Sequence, residues 1–281
     1  MISLATEPAL TDDEFALFRT LIYEEAGLVL RPERRAFVAS RVRHRLDARG
    51  LRSPYQYYRL LSDGPDRDAE LLHFLDLLTI QETSFFRNPP QFELLRARVL
   101  PEILERKAHA LGGSLRIWSA GCSTGQEPYS LAMAVVEQNP RVRGIVPKIY
   151  ASDISLTALE FAQRGFFPEA KTQGVPPEEL ARHFDRQDGG YAVRDGLKRL
   201  IVFDYHNLKH DHGLTGLDII FCRNVMIYFD EAEQRRLVDK FHAALAPEGY
   251  LFLGHAESLQ GLTSAFRFLY VNKGIAYQKV T

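Results

Sequence analysis

The stretch 115-LRIWSAGCSTGQEPYSLAMAV-135 decides how the fold is read. An apolar run leads into a small-residue loop holding Gly121 and Gly125, and Glu127 and Pro128 then open a helical pattern. A strand–glycine loop–helix unit brings bare backbone amides to a helix N-terminus at the end of a parallel strand, which is where open α/β sheets bind ligands. The dinucleotide fingerprint G-x-G-x-x-G is absent. Glu127 instead puts a carboxylate where a pyrophosphate would need positive potential. A phosphate-poor ligand with a cationic or hydroxyl-rich portion fits better, although an ordinary strand-to-helix turn has the same local pattern.

Further apolar runs follow at 146–154, 199–205, 217–222 and 249–254, separated by helical patterns. Strands that are apolar on both faces and alternate with helices predict a parallel α/β sheet. The segment 266–278 differs, because two strand-like runs flank Asn272-Lys273-Gly274 as in a hairpin, so the sheet is expected to end in an antiparallel pair. Residues 165–198, rich in Gly, Pro and charge, interrupt the alternation. They read as an insertion with a short helix and a small β-ribbon near 190–195.

The chain before this region is helical in pattern. Thr11 and Glu14 form a capping-box pair ahead of Phe15, Phe18, Ile22 and Ala26, with Gly27 as the stop. Helices are also expected from Pro32 to about Arg49, after Ser53, over 66–79, and over about 89–110. The Leu-Gly-Gly-Ser stretch at 111–114 is the expected boundary. The domains are thus a helical one over 1–88, a linker helix over 89–114, and an α/β domain over 115–281.

Formal net charge is −1 for 281 residues, which gives no global reason to expect nucleic acid or an anionic membrane as partner. Two cysteines, Cys122 and Cys222, make neither a disulfide framework nor a zinc set. The N-terminus lacks a basic signal-peptide start, and no apolar run approaches the ~18 residues of a membrane span. A cytoplasmic protein without membrane insertion is expected.

The polar residues at strand ends sharpen the ligand. Asp153 ends the second strand, the position from which an acid accepts hydrogen bonds from ribose hydroxyls; a helix N-cap would read alike. S-adenosylmethionine, with an amine, a ribose, a sulfonium and no phosphate, has the matching chemistry. Asn207 could pair an adenine edge or simply make a turn. Arg223 and Asn224 follow the strand 217–222 at a ligand mouth. Arg87, after Phe85 and Phe86, could clamp a carboxylate or sit on the surface.

Three of these segments together, 119-SAGCSTGQEPYSLAM-133, 221-FCRNVMIYFD-230 and 80-IQETSFFRN-88, resemble the chemoreceptor glutamate O-methyltransferases, the CheR family. The resemblance runs over nearly the whole chain. It implies a helical N-terminal domain on a Rossmann-like S-adenosylmethionine-dependent methyltransferase domain with a small inserted β-subdomain. It also implies cofactor contacts from Thr83, Arg87, Glu127, Asp153, Asn207, Leu208, Asn224 and Val225, beside the Gly121 loop. Gln81 stands where the family usually has Asn, and keeps the amide with one more methylene. The β-loop between Phe184 and Val193 is shorter than in family members that dock on a receptor's C-terminal pentapeptide, so pentapeptide-independent action is expected.

The implied reaction moves a methyl group to a glutamate carboxylate of a chemoreceptor-type protein, leaving S-adenosylhomocysteine. Glutamate is already ionised at neutral pH, with a reference pKa of about 4.3, so neither a general base nor a metal is expected. Arg87 and Tyr228 are the candidates to hold the carboxylate. The segment 31–52 carries eight Arg. At about 100° per residue, Arg34, Arg41 and Arg45 fall within roughly 40° of each other, beside an apolar stripe of Ala39, Val42 and Leu46. That face suits the acidic methylation helices of receptors, or is only solvated. The competing readings are a methyltransferase for another substrate and a cofactor-binding adaptor without turnover. Asn224-Val225-Met226 replaces the Pro-Pro-aromatic motif that a nucleic-acid methyltransferase would carry.

Overall fold

The computed structural model describes residues 10–108, 113–138 and 144–280, so Leu111 and Gly112 of the expected boundary lie outside the described residues. The chain divides into two units. One comprises residues up to Ile80 together with Tyr228–Asp230, and the other comprises Gln81–Ile227 and Glu231 onward. The second unit therefore begins eight residues before the end of the expected 1–88 domain, and the segment 81–88 is counted with the α/β unit.

Among the described residues the first unit has four helices, α1 (Asp12–Ala26), α2 (Arg35–Arg49), α3 (Pro54–Asp63) and α4 (Arg67–Leu78), with a 3-10 turn, Pro32–Arg34, ahead of α2. The Thr11 side chain accepts from the Glu14 N–H at 3.1 Å, and the Glu14 carboxylate accepts from the Thr11 N–H at 2.9 Å. This capping box satisfies two amides that the first turn cannot pair. Phe18, Tyr57 and Phe74 meet at the centre, with Tyr57 edge-on to Phe74 at 5.4 Å between centroids. Tyr228 and Asp230 cluster here too: the Tyr228 carbonyl accepts from the Val29 N–H and Asp230 accepts from the Tyr23 hydroxyl.

The buried residues of α2 are Val38 and Val42, with Ala39 and Leu46 half-buried. The wheel places Arg45 beside Arg34 and Arg41, but Arg45 is turned inward. Its Nε and Nη2 each donate at 2.7 Å to the two carboxylate oxygens of Glu70, which is 2% exposed and also accepts from the Tyr57 hydroxyl at 2.7 Å. A fork matched to a carboxylate is the geometry that offsets desolvation best. Arg34 precedes α2 in a 3-10 turn, so the 100° step does not carry through it.

The second unit is built on a seven-stranded sheet. Its strands are β1 (Ser114–Ala120), β2 (Val146–Asp153), β6 (Ile201–Tyr205), β7 (Leu217–Cys222), β8 (Leu245–Leu253), β9 (Phe266–Val271) and β10 (Gly274–Lys279), in the order β6-β2-β1-β7-β8-β10-β9. β1, β2, β6, β7 and β8 are parallel, and β10 is antiparallel to both β8 and β9. The order reverses at β1, so a crevice opens at the C-terminal ends of β1 and β7. Helices α5 (Pro89–Leu94), α6 (Leu100–Ala108), α7 (Gln126–Glu137), α8 (Leu156–Arg164) and α11 (Glu231–Ala244) belong to this unit. The expected long helix from Pro89 is not uniform. A π-helical stretch, Leu95–Val99, joins α5 to α6 and lets Leu94, Leu95, Val99 and Leu100 all be buried.

The insertion holds a three-stranded antiparallel sheet, β3 (Phe166–Pro168), β4 (Phe184–Gln187) and β5 (Gly190–Val193), with short helices α9 (Pro177–His183) and α10 (Asp195–Lys198). The sequence pointed to the β4–β5 ribbon but not to β3, which is too short to carry a period-2 pattern. No helix among the described residues is long and apolar enough to cross a membrane.

Glu70 gives a test of the helical unit. Burial alone would raise its pKa, but the hydrogen bonds from Arg45 and Tyr57 and the nearby guanidinium charges outweigh burial and hold it below the usual carboxylate range. A folded-state value below the unfolded one contributes stability above about pH 4.3, lost as pH falls through the folded value. Glu70→Gln leaves the Arg45 charge without its anion and should cost about 3 kcal/mol, read as a lower melting temperature, with a flatter acid limb than the parent. An unchanged melting temperature and acid limb would show the pair to be without weight.

Candidate functional site

Three chain segments converge at the ends of β1, β2 and β7. In the first, the loop after β1, the Gly121 and Cys122 amides both donate to the Ser152 carbonyl, at 2.8 and 2.9 Å. Gly121 has φ +80°, and a Cβ there would lie 2.5 Å from Val225 Cγ2, so a side chain would both strain the backbone and push the two loops apart. The Ser123 N–H donates to Asp153 Oδ2 at 2.7 Å, and the Ser155 N–H donates to Oδ1 at 2.9 Å. Asp153 thus organises the loop while remaining at the strand end. The N-cap of α8 is Ser155, whose side chain accepts from the Ala158 N–H.

Glu127 was expected to meet a ligand's cationic portion, and it already faces one cation of the chain. Its Oε2 accepts from Arg223 Nε at 2.7 Å, and its Oε1 accepts from the Ser119 hydroxyl at 2.7 Å. Both members of the ion pair are buried. Arg223, read from the sequence as facing the mouth, points inward. It also donates to the Arg87 carbonyl and, at 3.2 Å, to Gln91 Oε1. The Gln91 amide donates in turn to the Leu253 and Ile275 carbonyls, which fastens α5 to β8 and β10.

In the second segment, Phe85 and Phe86 go opposite ways. Phe85 packs edge-on against Phe167 and Phe184 of the insertion, at 4.9 and 5.7 Å. Phe86, at φ +49°, packs on Phe92 at 5.3 Å, and its N–H donates to the Ser130 hydroxyl at 3.0 Å. The turn between them leaves Arg87 half-buried, donating to the Glu82 carbonyl at 3.0 Å. Gln81 reaches the first loop: its Oε1 accepts from the Ser123 hydroxyl at 2.6 Å. The extra methylene relative to Asn therefore does not take the amide away from the loop. Thr83 lies between them, half-buried.

The third segment is 223–226, with Asn224 at φ +60°. Phe86, Asn88, Ser123 and Asn224 make four of the seven described non-glycine residues with positive φ. Backbone strain gathered at one place is a mark of a site whose surroundings over-determine it. The sequence missed what fixes this loop. The carboxylate of Glu257 accepts from the Asn224, Val225 and Met226 amides. Only the acidic residue itself was visible in the sequence, with nothing to say where it points.

Beside β6, Asn207 is buried and its Oδ1 accepts from the Lys209 N–H at 3.0 Å, a turn geometry. The carbonyls of Leu208 and Lys209 accept from Lys240 Nζ at 3.5 and 2.5 Å. Next to them Trp118, His206 and His212 form an aromatic wall, with His212 4.5 Å from Trp118 and 4.4 Å from His206. Burial, helped by the neighbouring His212, Lys240 and His210, pushes the His206 pKa down to about 4, so the wall is uncharged at neutral pH. The Cys122 thiol in the first loop is buried and pushed well up, which makes it a packing group rather than a nucleophile.

Gln81, Thr83, Arg87, Gly121, Glu127, Asp153, Asn207, Leu208, Asn224 and Val225 all belong to the α/β unit. Tyr228 groups with the helical unit, as do Arg34, Arg41 and Arg45. Arg41 donates to the Leu77 carbonyl at 3.3 Å and lies over the Phe37 ring at 4.3 Å. A strand-end carboxylate, Asp153, beside a glycine loop with no room for a side chain at Gly121 suits an adenosine ligand.

Residues 81–275 match the family model described as CheR methyltransferase, SAM binding domain, and residues 13–79 match the CheR methyltransferase, all-alpha domain. The chain is 34% identical over 280 residues to "Chemotaxis protein methyltransferase 2" of Vibrio cholerae, covering 97% of this chain and 95% of that protein. It is 35% identical to "Chemotaxis protein methyltransferase 1" of Pseudomonas aeruginosa, covering 94% and 97%. It is 34% identical to the "Chemotaxis protein methyltransferase" of Salmonella typhimurium, covering 95% and 91%. With both family models matched in order and such relatives aligned nearly end to end, the chain belongs to the CheR methyltransferase family.

Proposed function

We propose that this protein transfers a methyl group from S-adenosylmethionine to glutamate side chains of a chemoreceptor-type signalling protein, forming methyl esters. The observation that carries the reading is the contact chain from Gln81 through Ser123 to Asp153, which joins two of the three family motifs at the crevice of the sheet. Asp153 accepts from the ribose, Asn207 and Leu208 meet the adenine, and Asn224, Val225, Thr83 and Gln81 line the remainder. Glu127 keeps the loop in place through Arg223 and retains lone pairs for the ligand's ammonium. When bound, the cofactor supplies an electrophilic methyl group on a sulfonium.

The residues act by position. The substrate carboxylate arrives ionised, so no residue has to take a proton from it. Arg87 holds that carboxylate with a single partial contact, since a full bidentate pair would quench the nucleophile. Loss of hydration as the carboxylate docks beside the cofactor raises its reactivity. Arg34 and Arg41 on the helical unit offer positive charge to an acidic methylation helix. Arg45 is withdrawn from that role by its bond to Glu70. The β4–β5 turn is only Asp188-Gly189, which supports action without a pentapeptide tether.

With methyl-labelled cofactor and membranes carrying the receptor, label should be released by base as volatile methanol, since a carboxyl methyl ester is base-labile. Arg87→Ala should lose most of this release, by about a hundredfold, with its melting temperature kept. Base-stable label would mean another substrate class, and near-parental turnover would remove Arg87 from the mechanism. Calorimetry tests the binding statements: the isolated acidic receptor helix should bind more weakly as salt rises, and the free C-terminal pentapeptide should show no micromolar binding. Salt-insensitive helix binding or micromolar pentapeptide binding would contradict them.

A further inference from the structure

We propose that Glu257 is a positioning residue of the cofactor pocket, acting through the backbone of Asn224–Met226 without touching the ligand. The inference rests on the reading that Asn224 and Val225 contact the cofactor. The Glu257 carboxylate accepts four backbone N–H groups. Oε2 takes those of Asn224 at 2.8 Å and Gly254 at 2.6 Å, and Oε1 takes those of Val225 at 2.9 Å and Met226 at 2.7 Å. Three consecutive amides turned to one side have no partner in a strand or helix ladder at this point, and they repel one another unless an anion gathers them.

The anion comes from beyond the end of the neighbouring strand. β8 stops at Leu253, and the chain turns at Gly254 so that Glu257 reaches back over the end of β7. Gly254 has no room for a side chain: a Cβ would lie 2.6 Å from Glu257 Oε2 and 2.9 Å from the Asn224 nitrogen. Asn224 is held at φ +60°, a conformation that a short amide side chain tolerates better than most. The position of Val225 then sets the spacing of the two loops, because its Cγ2 is the atom that a Cβ on Gly121 would strike. One carboxylate therefore fixes the Asn224 backbone, the Val225 side chain and their distance from the glycine loop.

The test compares the full-length parent with E257Q and G254A. Glutamine keeps the shape but replaces one acceptor oxygen with an NH2 group that faces backbone N–H groups. E257Q should weaken S-adenosylhomocysteine binding in calorimetry by about tenfold, as for loss of hydrogen bonds to a charged group, with KM for the cofactor rising in step. The kcat at saturating cofactor should change by less than about twofold. G254A, which crowds the same carboxylate, should shift KM and Kd in the same direction and serves if E257Q does not fold. A folded E257Q with parental Kd, or a fall in kcat at unchanged KM as from fewer folded molecules, would overturn the inference alone. A parent protein that binds no S-adenosylhomocysteine would remove the functional reading beneath it, and the inference with it.

Discussion

Arg223 is the interaction on which the site depends. It stands just past β7, where the crevice opens, and its guanidinium spends its donors inward on three partners. These are Glu127 in the first turn of α7, the Arg87 carbonyl at the end of the aromatic motif, and Gln91 in α5. The planar fork lies against the rings of Phe92 and Phe221, each about 5.5 Å away. A lysine could not make this set, because its ammonium is a point charge without a stacking face. Removing either charge would leave the other buried and unpaired, at a cost of about 3 kcal/mol. The ion pair is therefore a joint that keeps separate segments in register, and the strained residues Phe86, Ser123 and Asn224 are held around it.

Much of the frame was legible because it follows from local rules. The Thr11–Glu14 box, the Gly27 stop and the alternation of apolar runs with helices each depend on a few adjacent residues, and each was found where expected. The antiparallel end of the sheet was legible from Asn272-Lys273-Gly274. The site was legible only in part. Sequence position says that Arg45, Glu127 and Arg223 are charged, but not that their partners come from Glu70 and from each other. Those pairings join residues 25 and 96 positions apart. Glu257 went unseen for the same reason, since it acts on residues 31–33 positions away. Strand β3 and the π-helical stretch are below the length at which periodicity carries information.

The two halves of the aromatic motif explain how the insertion and the sheet are kept in one unit. Phe85 is taken up by the insertion and Phe86 by α5, so the peptide between them has to turn, and Arg87 follows that turn. A change in the packing of the insertion would therefore move the proposed substrate contact without altering any residue that touches the ligand. Asp153 has a similar double duty. It organises the glycine loop through the Ser123 N–H, and on the proposed reading it also accepts from the ribose.

The most direct measurement is a crystal structure of the protein with S-adenosylhomocysteine. The account predicts the ribose hydroxyls within hydrogen-bond distance of Asp153, the base against Asn207 and Leu208, and the amino-acid portion between the Gly121 loop and Asn224. It also predicts that the Glu127–Arg223 pair stays intact. Ligand bound elsewhere, or bound in the crevice with Arg223 released from Glu127, would contradict it.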